Sequence, residues 1–161
     1  MWPFKRKTRD ISDLPAMSAD TCEWSVSLVE DEDGPMIIRL NESASDWTAH
    51  PDLPIKLGFA IPLRNPNPGA LPSPEENELL NDVEDAVQAA VEKRTIGINT
   101  VTITHGVMKE FLFYIPKDVD IKSLHESLQK SISTHEVQCI AESEAKWPTY
   151  RNFQRILAMT S

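Results

Sequence analysis

The amino-acid sequence predicts an α+β protein with a ferredoxin-like (βαββαβ) antiparallel sheet, extended by an N-terminal β-hairpin and followed by a C-terminal helix. Apolar residues recur at every second position in some segments and at helical spacing in others. From Ile55 onward these patterns follow the order strand, helix, strand, strand, helix, strand, which is the split βαβ arrangement. A turn sequence separates the two alternating segments that precede Ile55.

The N-terminal hairpin is predicted from strict alternation. Apolar residues occupy every second position from Cys22 to Leu28, which is typical of a half-buried strand. The acidic run 30–33 and Gly34 form a turn, because an Asp-Gly pair tolerates positive φ, and residues 35–41 then alternate again. We interpret the acidic run as the solvated tip of the hairpin. It is not interpreted as a calcium loop, because such a loop needs oxygen ligands spread over a longer stretch than this run.

A third strand, at residues 55–61, leads to the clearest helix start in the chain. Ser73 is suited to the N-cap, Pro74 to the first helical position, and Glu76 to closing a capping box with the N-cap residue. The apolar residues that follow form one stripe at helical spacing. The helix should run to about Arg94.

The second half of the chain contains the remaining elements. Strands are predicted at 96–104, at 111–115 and near 137–141, and the helix before the last strand starts near Asp118 or Asp120. Large apolar side chains at spacings of three and four then indicate a C-terminal helix that caps the sheet: Trp147, Tyr150, Phe153 and Leu157.

Length and composition indicate one globular domain. A chain of 161 residues with 40% hydrophobic and 25% charged residues can bury a hydrophobic core. We predict a flexible basic N-terminal tail at 1–20, where no periodicity is sustained, and a single α+β domain at 21–161. No apolar run approaches the ~20 residues of a membrane-spanning helix, and the N-terminus lacks the apolar core of a secretory signal. We therefore expect a cytoplasmic protein.

Charge is unevenly distributed along the chain. The first nine residues contain four basic and no acidic side chains, whereas residues 10–161 carry 12 basic and 25 acidic ones, a formal charge of −13. Nucleic-acid binding depends on Lys and Arg that replace counterions, so we expect no nucleic-acid partner but a basic protein surface. Residues 1–9 mix aromatic and basic side chains and could contact an anionic membrane surface, although a solvated terminus is favoured.

No familiar catalytic or cofactor motif occurs in the sequence. The chain has no glycine-rich phosphate loop, no nucleophile elbow and no His-Glu-x-x-His helix, and its four histidines are scattered. We therefore expect no cofactor and no metal site. Cys22 and Cys139 are interpreted as small buried hydrophobic residues and not as a disulfide.

Polar and aromatic residues indicate one candidate binding site. Arg39 and Asn41 lie on one face of the second strand, and with His50 and Tyr114 nearby they could form a pocket for an anion or a peptide carboxylate. The alternative is that Arg39 pairs with an acidic residue on a neighbouring strand. Aromatic residues near the C-terminus are either a packing anchor or a recognition surface. The complete candidate set is Arg39, Asn41, His50, Tyr114, Trp147 and Tyr150.

Several landmarks, in their order and spacing, resemble the bacterial domain-of-unknown-function family 695 over about residues 22–157. They are Trp24, Gly34-Pro35, Arg39, Asn41, His50-Pro51, the helix entry at 71–76, Glu84-Asp85, the strand at 111–114, Trp147 and Tyr150. Lys146 is a departure, because the family is expected to have Asp-Pro before this tryptophan.

The resemblance transfers no catalytic residues, since the family is functionally unassigned. It suggests a relationship with the ribonuclease E inhibitor B family, a small acidic α+β regulator that acts by binding protein. The favoured hypothesis is a non-catalytic acidic protein-binding or regulatory module, which docks on a basic partner through acidic residues at 30–33 or 75–78. The alternative is a small enzyme or ligand-binding domain with a polar pocket around Arg39, His50 and Tyr114.

Overall fold

The computed structural model describes residues 9–14 and 22–160. Within these residues the strands are β1 (Trp24–Asp31), β2 (Gly34–Asn41), β3 (Ile55–Pro62), β4 (Ile98–Thr104), β5 (Met108–Ile115) and β6 (Gln138–Ser143). The α-helices are α1 (Pro74–Arg94), α2 (Ile121–Ser131) and α3 (Pro148–Thr160), and two 3₁₀ helices cover Ile11–Asp13 and Glu42–Trp47.

The described strands form one sheet of six, in the order β1-β2-β4-β5-β3-β6, and every neighbouring pair is antiparallel. The predicted hairpin is present, because β1 pairs with β2 from Trp24↔Asn41 to Asp31↔Gly34. It extends the sheet through the pairing of β2 with β4. The α+β class, the hairpin and the C-terminal helix are thereby confirmed, and β1 and β6 are the two edge strands.

Different helices cover the two faces of the sheet. On one face, side chains of β3 and β5 pack with α1 and α2. On the other, side chains of β2 and β4 pack with α3 and the second 3₁₀ helix. Phe113 and Tyr114 are neighbours on β5 and belong to the two different clusters, as expected for side chains that alternate across a strand. The two helical layers are therefore offset diagonally across the sheet.

This offset leaves β1 uncovered on the α1 face, which differs from the expectation of a half-buried strand. Val26 pairs with Arg39, whose side chain reaches α1, so Val26 and Leu28 point to the α1 face, whereas Val29 packs on the α3 face. Val26 and Leu28 are nevertheless 64% and 60% exposed. The reason is that α1 and α2 pack over β3 and β5, which lie at the other end of the sheet.

Helix α1 begins where the sequence predicts. The Oγ of Ser73 accepts a hydrogen bond of 3.2 Å from the backbone N–H of Glu76. The buried Glu76 carboxylate, however, accepts from the backbone N–H groups of Arg64 and Asn65, and its Oε2 lies 3.4 Å from Nε2 of His135. Glu76 thus fixes the loop after β3 onto the helix start, in place of the reciprocal capping-box bond.

Part of the predicted N-terminal tail contacts the domain. Ile11 and Leu14 pack against the cluster on the α3 face, and the guanidinium of Arg9 lies 5.5 Å from the centroid of the Trp47 ring. Residues 9–14 therefore contact the domain, and the tail boundary predicted at 1–20 stays a prediction. Residues 1–8 and 15–21 lie outside the described residues. Six residues carry too little periodicity for their docking to be predicted from sequence.

Candidate functional site

Arg39 lies on the α1 face of β2 and pairs with helix α1. Its Nη1 donates to both carboxylate oxygens of Glu84, at 3.1 and 3.0 Å, and the Nζ of Lys109 lies 3.1 Å from Glu84 Oε1. The guanidinium also lies 5.1 Å from the centroid of the Trp24 ring. The alternative considered for Arg39, an ion pair, is the arrangement found, although the acidic residue comes from a helix and not from a neighbouring strand.

Two cations share one carboxylate at this point. The side chains are largely buried, with 7% of Lys109, 20% of Glu84 and 28% of Arg39 exposed. Burial raises the pKa of Glu84, but the charges of Lys109 and Arg39 outweigh it and hold that pKa below its ordinary value. The three side chains together carry a formal charge of +1 within a chain of formal charge −9.

Further polar side chains extend this group between α1 and the sheet. The Nδ2 of Asn41 donates to the backbone carbonyl of Asn99 at 2.9 Å, and the Nδ2 of Asn99 donates to Gln88 Oε1 at 3.4 Å. Four buried side-chain atoms of the group have no hydrogen-bond partner in the structure: Trp24 Nε1, Asn41 Oδ1, Asn99 Oδ1 and Thr102 Oγ1. We call Trp24, Arg39, Asn41, Glu84, Asn99, Thr102 and Lys109 the polar layer.

Tyr114, Trp147 and Tyr150 meet on the opposite face of the sheet. The rings of Tyr114 and Trp147 stack with centroids 4.0 Å apart, and Tyr150 meets Trp147 edge-to-face at 5.6 Å. The indole N–H of Trp147 donates to the backbone carbonyl of Leu53 at 2.8 Å, and the Tyr150 hydroxyl donates to that of Asn41 at 2.7 Å. All three aromatic side chains are buried, which places them in packing and not on a recognition surface.

Glu144, which sequence reasoning missed, holds this aromatic group to the sheet edge. Its carboxylate accepts from the Tyr114 hydroxyl at 2.9 Å, from the Thr149 hydroxyl at 2.8 Å and from the Thr149 backbone N–H, and it lies 2.8 Å from Lys56 Nζ. Burial raises the pKa of Glu144, but the hydrogen bonds from Lys56, Thr149 and Tyr114 outweigh it and lower the pKa. Burial, together with Glu144, raises the pKa of Tyr114.

His50 lies apart from both groups, in the loop before β3. Its Nδ1 accepts from the backbone N–H of Asp52 at 3.0 Å, so its proton is on Nε2, which donates to the backbone carbonyl of Arg9. Arg39, on the α1 face, and Tyr114, on the α3 face, are separated by the sheet. The structure therefore does not assemble the predicted pocket around Arg39, His50 and Tyr114. Of the four residues predicted for this pocket, Arg39 and Asn41 lie together, in the polar layer.

A surface feature of the hairpin was also missed from the sequence. Val26 and Leu28 are exposed on the α1 face of β1, and the acidic residues at the end of β1 and in the turn, Glu30, Asp31, Glu32 and Asp33, are exposed as well. We call these six residues the hairpin surface. The acidic run is visible in the sequence, but the exposure of the aliphatic residues depends on where the helices pack.

The second uncovered part of the sheet lies along β6, on the α3 face. It is a groove of about 470 Å³, lined by Gly58 and Ala60 of β3, Leu112 of β5, Ile140 of β6 and Phe153 of α3. Ile140 is 56% exposed. We call these five residues and their cavity the β6 groove. No pattern in the sequence indicates it, because its residues come from four separate elements.

Within residues 9–14 and 22–160, no group of three or more metal-ligating side chains is found. In the same part of the chain, no helix combines the length and apolar character needed to cross a membrane.

Cys22 and Cys139 are free thiols and are partly buried, and burial raises the pKa of Cys139 to about 11. Such a thiol is protonated at neutral pH and is a poor nucleophile.

Comparison with known proteins identifies a family for this chain. No curated protein and no solved structure matches the chain. The family of unknown function DUF695 matches residues 22–154, which is most of the chain, and includes the hairpin surface, the polar layer and the β6 groove. The protein described here therefore belongs to the DUF695 family.

Proposed function

We propose that this chain is a non-catalytic regulatory module that binds a basic protein through the hairpin surface. The observation that carries the proposal is that Val26 and Leu28 are exposed on the same hairpin as the exposed acidic residues 30–33. Contiguous exposed apolar side chains with a polar rim are typical of interaction sites. Aliphatic contact supplies binding free energy, and the acidic rim selects a partner that carries Lys or Arg.

The charge of the hairpin segment, residues 22–41, supports a basic partner. Residues 22–41 contain five acidic side chains and one basic side chain, and that base, Arg39, is already paired with Glu84. The second acidic patch considered from the sequence, at 75–78, is weaker, because Glu76 is buried and bound to backbone N–H groups. A relationship with the ribonuclease E inhibitor B family, which the sequence resemblance suggests, would agree with this proposal.

A ferredoxin-like core for residues 55–143 is part of the same proposal. The strands β4-β5-β3-β6 are adjacent in that order, and β3-α1-β4 and β5-α2-β6 are the two βαβ units. The hairpin β1–β2 is then an addition to a common core. Its position at the sheet edge makes it suited to carrying a function that the core alone does not provide.

The test is capture of partners on the immobilised full-length chain, with bound proteins identified by mass spectrometry. Wild type is compared with the double variant Val26→Ser, Leu28→Ser, and with Ile96→Ser as matched control, because Ile96 is 47% exposed and lies outside the hairpin surface. We expect a stoichiometric partner with a basic surface that the double variant loses and the control retains. Equal capture by both variants would contradict the proposal.

A second candidate function is binding of a small polar ligand at the polar layer. It is favoured by the four buried atoms without hydrogen-bond partners, since leaving a buried polar group unsatisfied costs about 1–3 kcal/mol. The formal charge of +1 at Arg39, Lys109 and Glu84 favours a ligand with a carboxylate. An activity screen of the pure protein separates the two functions: turnover that Arg39→Ala abolishes would favour the ligand-binding function.

A further inference from the structure

The edge strand β6 has the features of a strand that accepts another strand. In the described sheet it pairs with β3 alone, and most of its side chains are exposed. Backbone N–H and C=O groups on the free side of an edge strand are available for pairing. Proteins commonly protect such edges with proline, lysine or a bulge, and residues 138–143 contain neither proline nor lysine.

The β6 groove lies directly beside this edge, and small residues form part of its floor. Gly58 pairs with Leu112 on one side and Ile140 on the other. A Cβ at position 58 would lie 3.2 Å from Ile140 Cγ2 and 3.3 Å from Leu112 Cδ2, closer than ordinary contact. Glycine at this position has no side chain and therefore leaves the space of the groove unfilled.

The alternation of a strand determines which side chains of an added segment would enter the groove. Ile140 points to the groove, whereas Cys139 packs with the cluster on the α1 face. An extended segment paired with β6 would place every second side chain on the same face as Ile140, toward the groove. The volume of about 470 Å³ is within the range of ligand pockets and has room for more than one apolar side chain.

Charge around the groove favours a basic segment. Glu110 lines the groove, and Glu136 and Glu142 are exposed next to or on β6. Lys56, which also lines the groove, is already paired with Glu142 at 3.2 Å and Glu144 at 2.8 Å. Lys or Arg side chains would be attracted here, whereas a second copy of the chain would bring another acidic β6 against the first.

We propose that β6 and the β6 groove bind an extended segment of a partner protein that carries apolar residues and a Lys or Arg on the same face, at every second position. The segment adds a seventh strand beside β6: its backbone pairs with the strand edge, its apolar side chains fill the groove beside Ile140, and its basic side chain lies near Glu142, which is on the same face as Ile140. This surface is separate from the hairpin surface, because β1 and β6 are opposite edges of the sheet.

The test uses the full-length chain labelled with ¹⁵N and a synthetic peptide with blocked termini, in which valine, valine and lysine occupy every second position and threonine occupies the positions between them. We expect chemical-shift changes and slowed amide exchange at residues 138–143, with little change at residues 24–31. A peptide with glutamate in place of lysine should bind at least about tenfold more weakly, as should one with serine in place of valine.

Variants locate the binding on the protein. Ile140→Lys should weaken binding at least about tenfold, because it removes an apolar contact and adds a like charge, while Ile96→Lys, at a comparably exposed position, should not. Gly58→Val tests the groove if the variant folds, and Ile140→Lys remains informative if it does not.

Three results would overturn the proposal. They are shifts confined to residues 24–31, no binding at millimolar peptide, and changes at 138–143 that depend on protein concentration and not on peptide. The first result would assign the peptide to the hairpin surface alone, and the last would indicate self-association through β6.

Discussion

Tyr114 stacks on Trp147 with ring centroids 4.0 Å apart and ring planes 8° apart, and this contact joins strand β5 to the start of α3. Trp147 has a positive φ of 55°, which is unusual for a bulky residue. Its indole N–H is bonded to Leu53, and its backbone carbonyl accepts from the N–H of Arg151 at the helix start. Packing and hydrogen bonds together hold this backbone conformation.

Replacing Trp147 should therefore loosen α3. We expect Trp147→Ala to lower the free energy of unfolding by about 3–5 kcal/mol, because it removes a fully buried aromatic side chain. Urea denaturation followed by circular dichroism measures the change. Trp147→Phe, which keeps part of the stack, should cost less, and equal losses for the two variants would contradict the importance of ring packing.

The N-cap of α1 gives a second prediction. Ser73→Ala should destabilise the domain by about 1 kcal/mol, because the backbone N–H of Glu76 loses its acceptor. Ser73→Asp should retain most of the stability, since aspartate also serves as an N-cap. The measurement is the midpoint of denaturant unfolding. An unchanged midpoint for Ser73→Ala would mean that this hydrogen bond contributes nothing.

Acid should weaken the polar layer through Glu84. Its pKa in the folded protein lies below the ordinary value of 4.5, so the unfolded chain takes up the proton first as pH falls. The stability that Glu84 contributes is therefore fully present above about pH 5 and is lost as pH falls through its lowered pKa. Urea midpoints measured from pH 7 to pH 3 should show this loss.

Two variants isolate the contribution of Glu84. Glu84→Gln should lower the free energy of unfolding at pH 7 by about 2 kcal/mol, because it leaves Arg39 and Lys109 without a counter-charge. It should also show a smaller decline on acidification than wild type. Glu78→Gln, an exposed position on the same helix, is the control and should behave as wild type does. A decline as steep in Glu84→Gln as in wild type would assign the acid sensitivity to other groups, such as Glu144.

Salt dependence tests the acidic turn of the hairpin surface. Complementary charge mainly accelerates encounter, so association with the captured partner should slow as salt rises, while dissociation changes less. The variant with Glu30→Gln, Asp31→Asn, Glu32→Gln and Asp33→Asn should bind more slowly and with less salt dependence. Glu75→Gln with Glu78→Gln, at the exposed start of α1, is the matched control. Surface plasmon resonance over a salt series gives both rate constants.

The sequence by itself determined the elements and their order. Ser73 and Pro74 placed the start of α1 at the correct residue, because capping uses side chains within one turn of each other. Alternation located the hairpin, and the spacing of Trp147, Tyr150, Phe153 and Leu157 located α3. These signals are local, since each depends on residues that are near one another in the chain.

Only the tertiary structure decided how the candidate site residues are grouped. The partner of Arg39 is Glu84, 45 residues away, and Tyr114 lies on the other face of the sheet from Arg39. The exposure of Val26 likewise follows from the offset of the helical layers. In the alternating sequence pattern, Val26 occupies a position that normally faces the core. Periodicity specifies that a face is apolar, but which element covers that face depends on contacts between distant parts of the chain.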